Sequence, residues 1–461
     1  LITTKQGQTG APQINYSSEI GTSTLARQMD LLNAAQYARH VNMFELANNI
    51  GRDPTPIFSD SEIQQFEQNG GTDWQDVMYR RAMTQNHQLS VSGGTEEMNY
   101  YVSGAYLDQE GVLRNSGYNR LSLRANIRAD IVDWLRAGVN WSGSRENDHS
   151  PKYGSQIDFP NNPVQGAIEF PPTLPVYSDD GSYAQTTPEY GPQTLWNPVA
   201  SAEEPLIDNS DLKTDVRAFL DFQLLEGLSL EVSGAGSIDE SDEKEYWNMR
   251  TFAGAQTGGE GYVFDGRSTY YQFQNILTYQ NSFGNHNVTA TAVAEQKHTE
   301  YFSKSATNNE FLNHDIGVFD MGGSEIQNTS SSFNERLLRS GLGRINYDYN
   351  DRYLLSASYR ADGSSVFGSQ NKWSYFPAAS VGWRVSDESF MESMPVISNL
   401  MLPASGGKTG NQAISPYQTL AAISQLGNYP WNGGEGITRG YQVTRAANPA
   451  LRWETTTQSN L

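Results

Sequence analysis

From about residue 86 onward, apolar and polar side chains alternate in runs of about 10–13 residues. In the clearest run Leu121, Leu123, Ala125, Ile127 and Ala129 oppose Ser122, Arg124, Asn126, Arg128 and Asp130. The next run sets Leu135, Ala137, Val139 and Trp141 against Arg136, Gly138, Asn140 and Ser142. Similar runs cover Asp215 to Leu224, Tyr353 to Arg360 and Ala379 to Val385. A period of two is the signature of a strand with one apolar and one polar face. Soluble strands average about 5–6 residues, whereas a strand tilted about 45° needs roughly 9–11 to cross a bilayer. The runs have the second length.

Connection lengths point the same way. Strands at 86–94, 98–108, 119–130, 134–145, 213–225, 228–237, 269–280, 287–296, 338–349, 353–362 and 374–386 leave connections that alternate between brief and long. Turns on one side and loops on the other are the layout of a transmembrane β-barrel, with the turns in the periplasm and the loops outside. Trp134, Tyr347, Tyr349 and Tyr353 flank the brief connections, as one aromatic girdle would require. Tyr106, Trp141 and Trp383 are candidates for the opposite girdle. Hydrocarbon cannot satisfy a bare strand edge, so such a sheet must close on itself. The expected fold is therefore all-β, built of long antiparallel transmembrane strands. Leu25 to Asn48, with helical spacing and Gly51 and Pro54 beyond it, is expected to be a short helix in an outer loop.

Composition narrows the function. A formal charge of −21, from 31 basic and 52 acidic residues, argues against nucleic acid as a partner. The absence of Cys removes disulfides, thiolate catalysis and cysteine-ligated metals. No stretch approaches about 18 consecutive apolar residues, so no transmembrane helix is expected. The six His residues form no close pair, and no metal site or cofactor is expected. Asp239 to Glu243 could attract calcium but lacks the spacing and turn glycine of an EF-hand loop. Gly406-Gly407-Lys408-Thr409 lacks the first glycine of a phosphate-binding loop. Catalysis is not expected.

Several ordered segments resemble a known family. Asp73 to Gly94 (DWQDVMYRRAMTQNHQLSVSGG) and the following NYYVSGAYLDQEGVLRNSGYNRLSLRANIRADIVDWLRAGVNWS are similar to the barrel start of SusC/RagA-type TonB-dependent transporters of Bacteroidetes outer membranes. The likeness returns in GRINYDYNDRYLLSASYRADGSSVFG, NKWSYFPAASVGWRVSDESFM, KTGNQ and NPALRWETTTQ. It implies that residues 1–5 (LITTK) are the last strand of a plug domain. It further implies that residues 6–461 are an internal part of a barrel of about 22 strands, with long extracellular loops at 146–212, 238–268 and 297–337. The implied function is active import of a large nutrient, a glycan or oligosaccharide ahead of a peptide. The implied partners are a SusD-like surface lipoprotein, the TonB complex and outer-membrane lipid. Met401 to Gly406 departs from a regular strand because Pro403 removes a donor.

Two sets of candidate residues follow. Rings in the long loops could stack on the apolar faces of sugars: Tyr153, Tyr190, Trp196, Trp247 and Trp431, with Tyr177, Tyr183 and Tyr262 beside them. Asp362, Gly363, Ser364, Ser365 and Phe367 form a Gly-rich motif that either presses on plug or cargo or simply turns one long strand into the next. Lumen polar residues, among them Arg124, Arg128, Arg217, Arg344 and Arg360, could contact plug or cargo. The rival readings are a passive porin or adhesin barrel, and a soluble carbohydrate-binding β domain.

Overall fold

A computed structural model describes residues 7–48, 55–151, 162–186, 195–392, 394, 396–431 and 436–461. Residues 1–5 lie outside that set. The strands are β1 (Gly10–Ser23), β2 (Ala82–Gly94), β3 (Met98–Glu110), β4 (Gly117–Val132), β5 (Leu135–Asp148), β6 (Leu206–Leu225), β7 (Leu228–Trp247) and β8 (Glu260–Phe283). They continue with β9 (His286–Phe311), β10 (Ser324–Tyr349), β11 (Tyr353–Ser364), β12 (Trp373–Arg384), β13 (Met401–Asn411), β14 (Ala422–Trp431), β15 (Gly436–Arg445) and β16 (Glu454–Asn460). Fourteen of them form one antiparallel sheet in the order β1 through β13, then β16, while β14 and β15 make a separate hairpin. No helix among the described residues is long and apolar enough to cross a membrane.

Register turns the alternation of single strands into two continuous faces. Ile127 lies opposite Val139, and Val139 opposite Ala218. One residue away Asn126 lies opposite Asn140, and Asn140 opposite Arg217. The apolar face has nothing packed over it: Leu121, Ile127, Ile345 and Val381 stay 45–53% exposed. A water-facing patch of this extent is untypical of soluble monomers. A stacked-sheet sandwich would have buried these side chains between two layers. The other face carries the charged and amide side chains.

The brief connections are confirmed. Asp133–Trp134, Glu226–Gly227 and Gly284–Asn285 join strand pairs directly, and Asn350 and Asp351 both take positive φ, as tight hairpins favour. Val385–Leu400 is a long exception on that side. Trp383, expected in the outer girdle, lies instead opposite Tyr353 beside the brief turn, so it belongs to the periplasmic girdle with Trp134, Tyr349 and Tyr353.

The long connections are shorter than the sequence pattern suggests. Within 146–212 the sheet continues to Asp148 and resumes at Leu206, within 238–268 it continues to Trp247 and resumes at Glu260, and within 297–337 it continues to Phe311 and resumes at Ser324. Beyond the bilayer both faces of a strand meet water, so the hydropathy alternation stops while the backbone ladder goes on. Ser305 opposite Ser330 and Thr307 opposite Asn328 show this. At about 3.3 Å per residue, the 26 residues of β9 form a wall well beyond the hydrocarbon. Asp239 to Glu243 lies in this wall inside β7, its side chains alternating between faces, with Lys244 on Asp242 and Arg267 beside Glu240. Gly406 to Thr409 lies in β13, paired with β16, and is not a loop. Pro403 is likewise inside β13, opposite Gly382 of β12.

The helix expected over Leu25 to Asn48 starts later, as α1 (Ala34–Asn48). Asn33 and Gln36 exchange side-chain-to-backbone hydrogen bonds at 2.9 and 3.0 Å and fix the start. Its Ala35 and Ala38 pack against Phe58, just before α2 (Asp60–Asn69), and Ile63 within it.

The two faces predict opposite responses to one substitution. Ile127→Arg should cost about 2–4 kcal/mol of folding free energy in phospholipid bilayers, while Ser122→Arg on the polar face of the same strand should change it little. Urea titration followed by heat-modifiable gel migration measures both.

Candidate functional site

The polar face is a wall of paired charges. Glu295 of β9, with its side chain 7% exposed, accepts Gln272 Nε2 at 2.6 Å and ion-pairs with Lys297 at 3.0 Å. Arg360 of β11 approaches the same carboxylate at 3.7 Å and donates to Asp362 at 2.8 Å and to Ser340 Oγ at 3.0 Å. A carboxylate so nearly dry needs these partners, because removing one leaves an uncompensated charge. Further round the sheet Arg217 donates to Glu231 at 2.6 Å and lies over the Phe219 ring at 5.1 Å, with Arg128 over the same ring at 5.6 Å. Register places all five expected arginines on this face, but Arg217 and Arg360 are committed to partners in the wall, and Arg344 donates to Asn346.

On the loop side, three short helices make a platform: α3 (Trp74–Met78), α4 (Pro163–Glu169) and α5 (Pro198–Glu203). Trp74 sets its edge against Phe170, centroids 4.8 Å apart, and donates Nε1 to the Pro171 carbonyl at 3.0 Å. Met78, Leu113, Val199 and Ala202 complete the cluster. Asn197 is fully buried: Oδ1 caps α5 at Val199 N, and Nδ2 donates to the carbonyls of Val176 and Ala184 at 3.0 Å each. A cleft of about 580 Å³ opens between this platform and the 28–37 segment, with Tyr37 and Gln75 in its lining.

The candidate rings do not converge on one surface. Tyr153 and Tyr190 lie outside the described residues. Trp196 donates to the Arg250 carbonyl at 2.7 Å and meets Phe252 edge-on at 6.0 Å, stapling its loop to α6 (Phe252–Thr257). Trp247 ends β7 opposite Glu260, and Tyr262 lies in β8 opposite Thr307. Trp431 ends β14. Tyr177 and Tyr183 pair at 5.2 Å, with Tyr177 about half exposed. Burial, followed by the nearby Glu204 carboxylate, pushes the Tyr183 hydroxyl's pKa well up, so it stays a neutral donor.

The Gly-rich motif is packed. Asp362, Gly363 and Ser364 end β11, and Gly363 faces Trp373 so closely that a Cβ would stand 2.6 Å from the ring. Ser365 Oγ accepts the Leu337 N–H at 2.9 Å. Phe367 is buried with Phe376 against Trp453, at 5.1 Å from that indole. Sequence reasoning missed Trp453, whose Nε1 donates to the Lys372 carbonyl and ties the β13–β16 connection to this turn. It also missed Glu295, whose signal was an acid at a polar-face position beside Lys297.

Long antiparallel strands with an unpacked apolar face, a charged inner wall and loops gathered at one end are the wall of an outer-membrane β-barrel. No family model matches the chain. A TonB-dependent receptor of Formosa agariphila is 29% identical over 465 residues, covering all of this chain and 44% of that protein. The TonB-dependent receptor SusC of Bacteroides thetaiotaomicron is 27% identical over 492 residues, covering all of this chain and 46% of SusC. The solved RagAB peptide importer in its open-open state matches the fold with a TM-score of 0.77 at 22% identity, covering 99% of this chain and 52% of that one. The chain belongs to the SusC/RagA-type TonB-dependent receptors of the outer membrane, and it spans about half the length of the curated relatives it matches.

The platform has its own test. Trp74→Ala should weaken the α3–α4–α5 cluster by about 3–5 kcal/mol, and limited proteolysis on intact cells should then cut between residues 163 and 205 while the barrel keeps its heat-modifiable migration.

Proposed function

We propose that this chain forms part of a closed barrel of about 22 strands that imports a large nutrient, a glycan or oligosaccharide, under TonB control. Residues 1–5 would end the plug that blocks the lumen, and residues 6–461 would supply the wall and the outer loops. A SusD-like lipoprotein would cap the loop side, where α1 leaves Met43 and Phe44 60% exposed and available to a partner. The Asp362–Phe367 turn would act as a fixed post against which plug or cargo moves. Tyr177, about half exposed, is the ring best suited to sugar stacking; Trp196 and Trp247 would shape the loops, and Tyr153, Tyr190 and Trp431 would each offer a separate stacking contact. The work is binding and gated passage, with no bond made or broken. The reading rests on the match to SusC-type receptors along the whole chain, which runs through wall and loops alike.

Growth on purified oligosaccharide as the sole carbon source tests it. Cells lacking the complete protein should not grow, and the restored protein should take up cargo only while the inner membrane is energised. Uptake that persists after the proton gradient is collapsed would favour a passive pore. Growth on peptides but not on oligosaccharide would overturn the cargo assignment alone.

A further inference from the structure

Among the described residues, turns on the brief side of the sheet are two or three residues long, and Trp134 is their one large apolar side chain, except in Val385–Leu400. That connection opens with two single turns of 3-10 helix, Val385–Asp387 and Ser389–Met391. It then leaves Phe390 56%, Met394 51% and Val396 95% exposed, with Ile397 beside them. A rim turn bathed in water has no reason to carry four exposed apolar side chains.

The start of the segment is locked to the lipid side of the rim. Glu388 Oε1 accepts from Tyr353 Oη at 2.5 Å and from Trp383 Nε1 at 2.9 Å, and Oε2 accepts Arg352 Nη1 at 3.0 Å. The Tyr353 and Trp383 donors, followed by the Arg352 charge, hold this carboxyl below the usual carboxylate range, so it stays ionised and clamped. Asp387 is paired with Arg384 at 3.7 Å. Trp383 lies on the apolar face, and Phe390 sets its ring against that indole at 6.5 Å and 67°. Tyr353 stacks on Tyr349 at 6.2 Å, within the girdle that meets the headgroups. Phe390 therefore continues the aromatic belt.

We propose that Val385–Leu400 is an interfacial anchor, with Phe390, Met394, Val396 and Ile397 entering the phospholipid leaflet on the brief-turn side. The occupant of this surface is lipid because the surface is continuous with the belt that already faces lipid. Amphipathic anchors of this kind sit about 5–10 Å into the boundary between headgroups and acyl chains. Such an anchor fixes the barrel's height against the bilayer and holds the β10–β11 hairpin through Arg352.

The chain contains no cysteine, so single cysteines report cleanly within it. Val396→Cys and, as an aqueous control, Glu226→Cys at the tip of a polar turn are labelled with an environment-sensitive fluorophore in the complete protein, in phosphatidylethanolamine and phosphatidylglycerol vesicles. Heat-modifiable migration confirms that each variant has formed its barrel. The label at 396 should emit to the blue of the label at 226. Nitroxides near the glycerol end of the acyl chains should quench it about twofold more strongly than they quench the control. Iodide quenching at 396 equal to that at 226 would overturn the proposal in favour of a water-facing loop. Protection from both quenchers would overturn it in favour of a protein cover.

Discussion

Hydrocarbon offers no partner to a bare N–H or C=O group, and each orphan in it costs several kcal/mol. Every structural choice in this chain follows from that. The ladder runs unbroken from β1 to β13 and on to β16, so each interior strand has a neighbour on both sides. Among the described residues β1 and β16 each have a single neighbour, so both edges need further strands before the sheet can lie in lipid.

Once the backbone is satisfied, the side chains divide the labour. The outward face is dominated by apolar residues, and the inward face holds charges of which several are answered within the wall. Glu295 with Lys297, Gln272 and Arg360 is one such group, and Arg217 with Glu231 is another. Where a carboxylate is as dry as Glu295, these partners matter for stability, because losing one would leave an uncompensated charge. The loop side is organised differently, by small apolar cores such as Trp74 with Phe170 and Phe367 with Trp453. Those cores pack the loops against one another and leave the lipid-facing belt uncovered.

Strand existence and facing were legible wherever the bilayer imposes a contrast between faces. Leu121 to Asp130 is such a place, and all of it lies in β4, paired in regular register with β5. Legibility ended where that contrast ends. The outer halves of β9 and β10 carry Ser, Thr and Asn on both faces, so nothing in their hydropathy separates wall from loop. Trp383 was assigned to the wrong girdle because an aromatic at a strand end does not say which end. The late start of α1 turned on one reciprocal pair, Asn33 with Gln36, and α2 carried a readable Ser59–Glu62 capping box that helical spacing alone did not bring out. The cargo rings were the least legible part, since a loop aromatic reads the same whether it staples, as Trp196 does, or stays partly free, as Tyr177 does.

The central claim is that the apolar face is wetted by acyl chains. A nitroxide scan of residues 121–130 in the reconstituted complete protein tests it most directly, comparing collision with oxygen, which partitions into hydrocarbon, and with a polar nickel chelate. The account predicts a period of two, with odd positions open to oxygen and shielded from nickel and even positions the reverse or closed to both. Odd positions shielded from both reagents would mean that a second protein layer covers them, and would contradict the account.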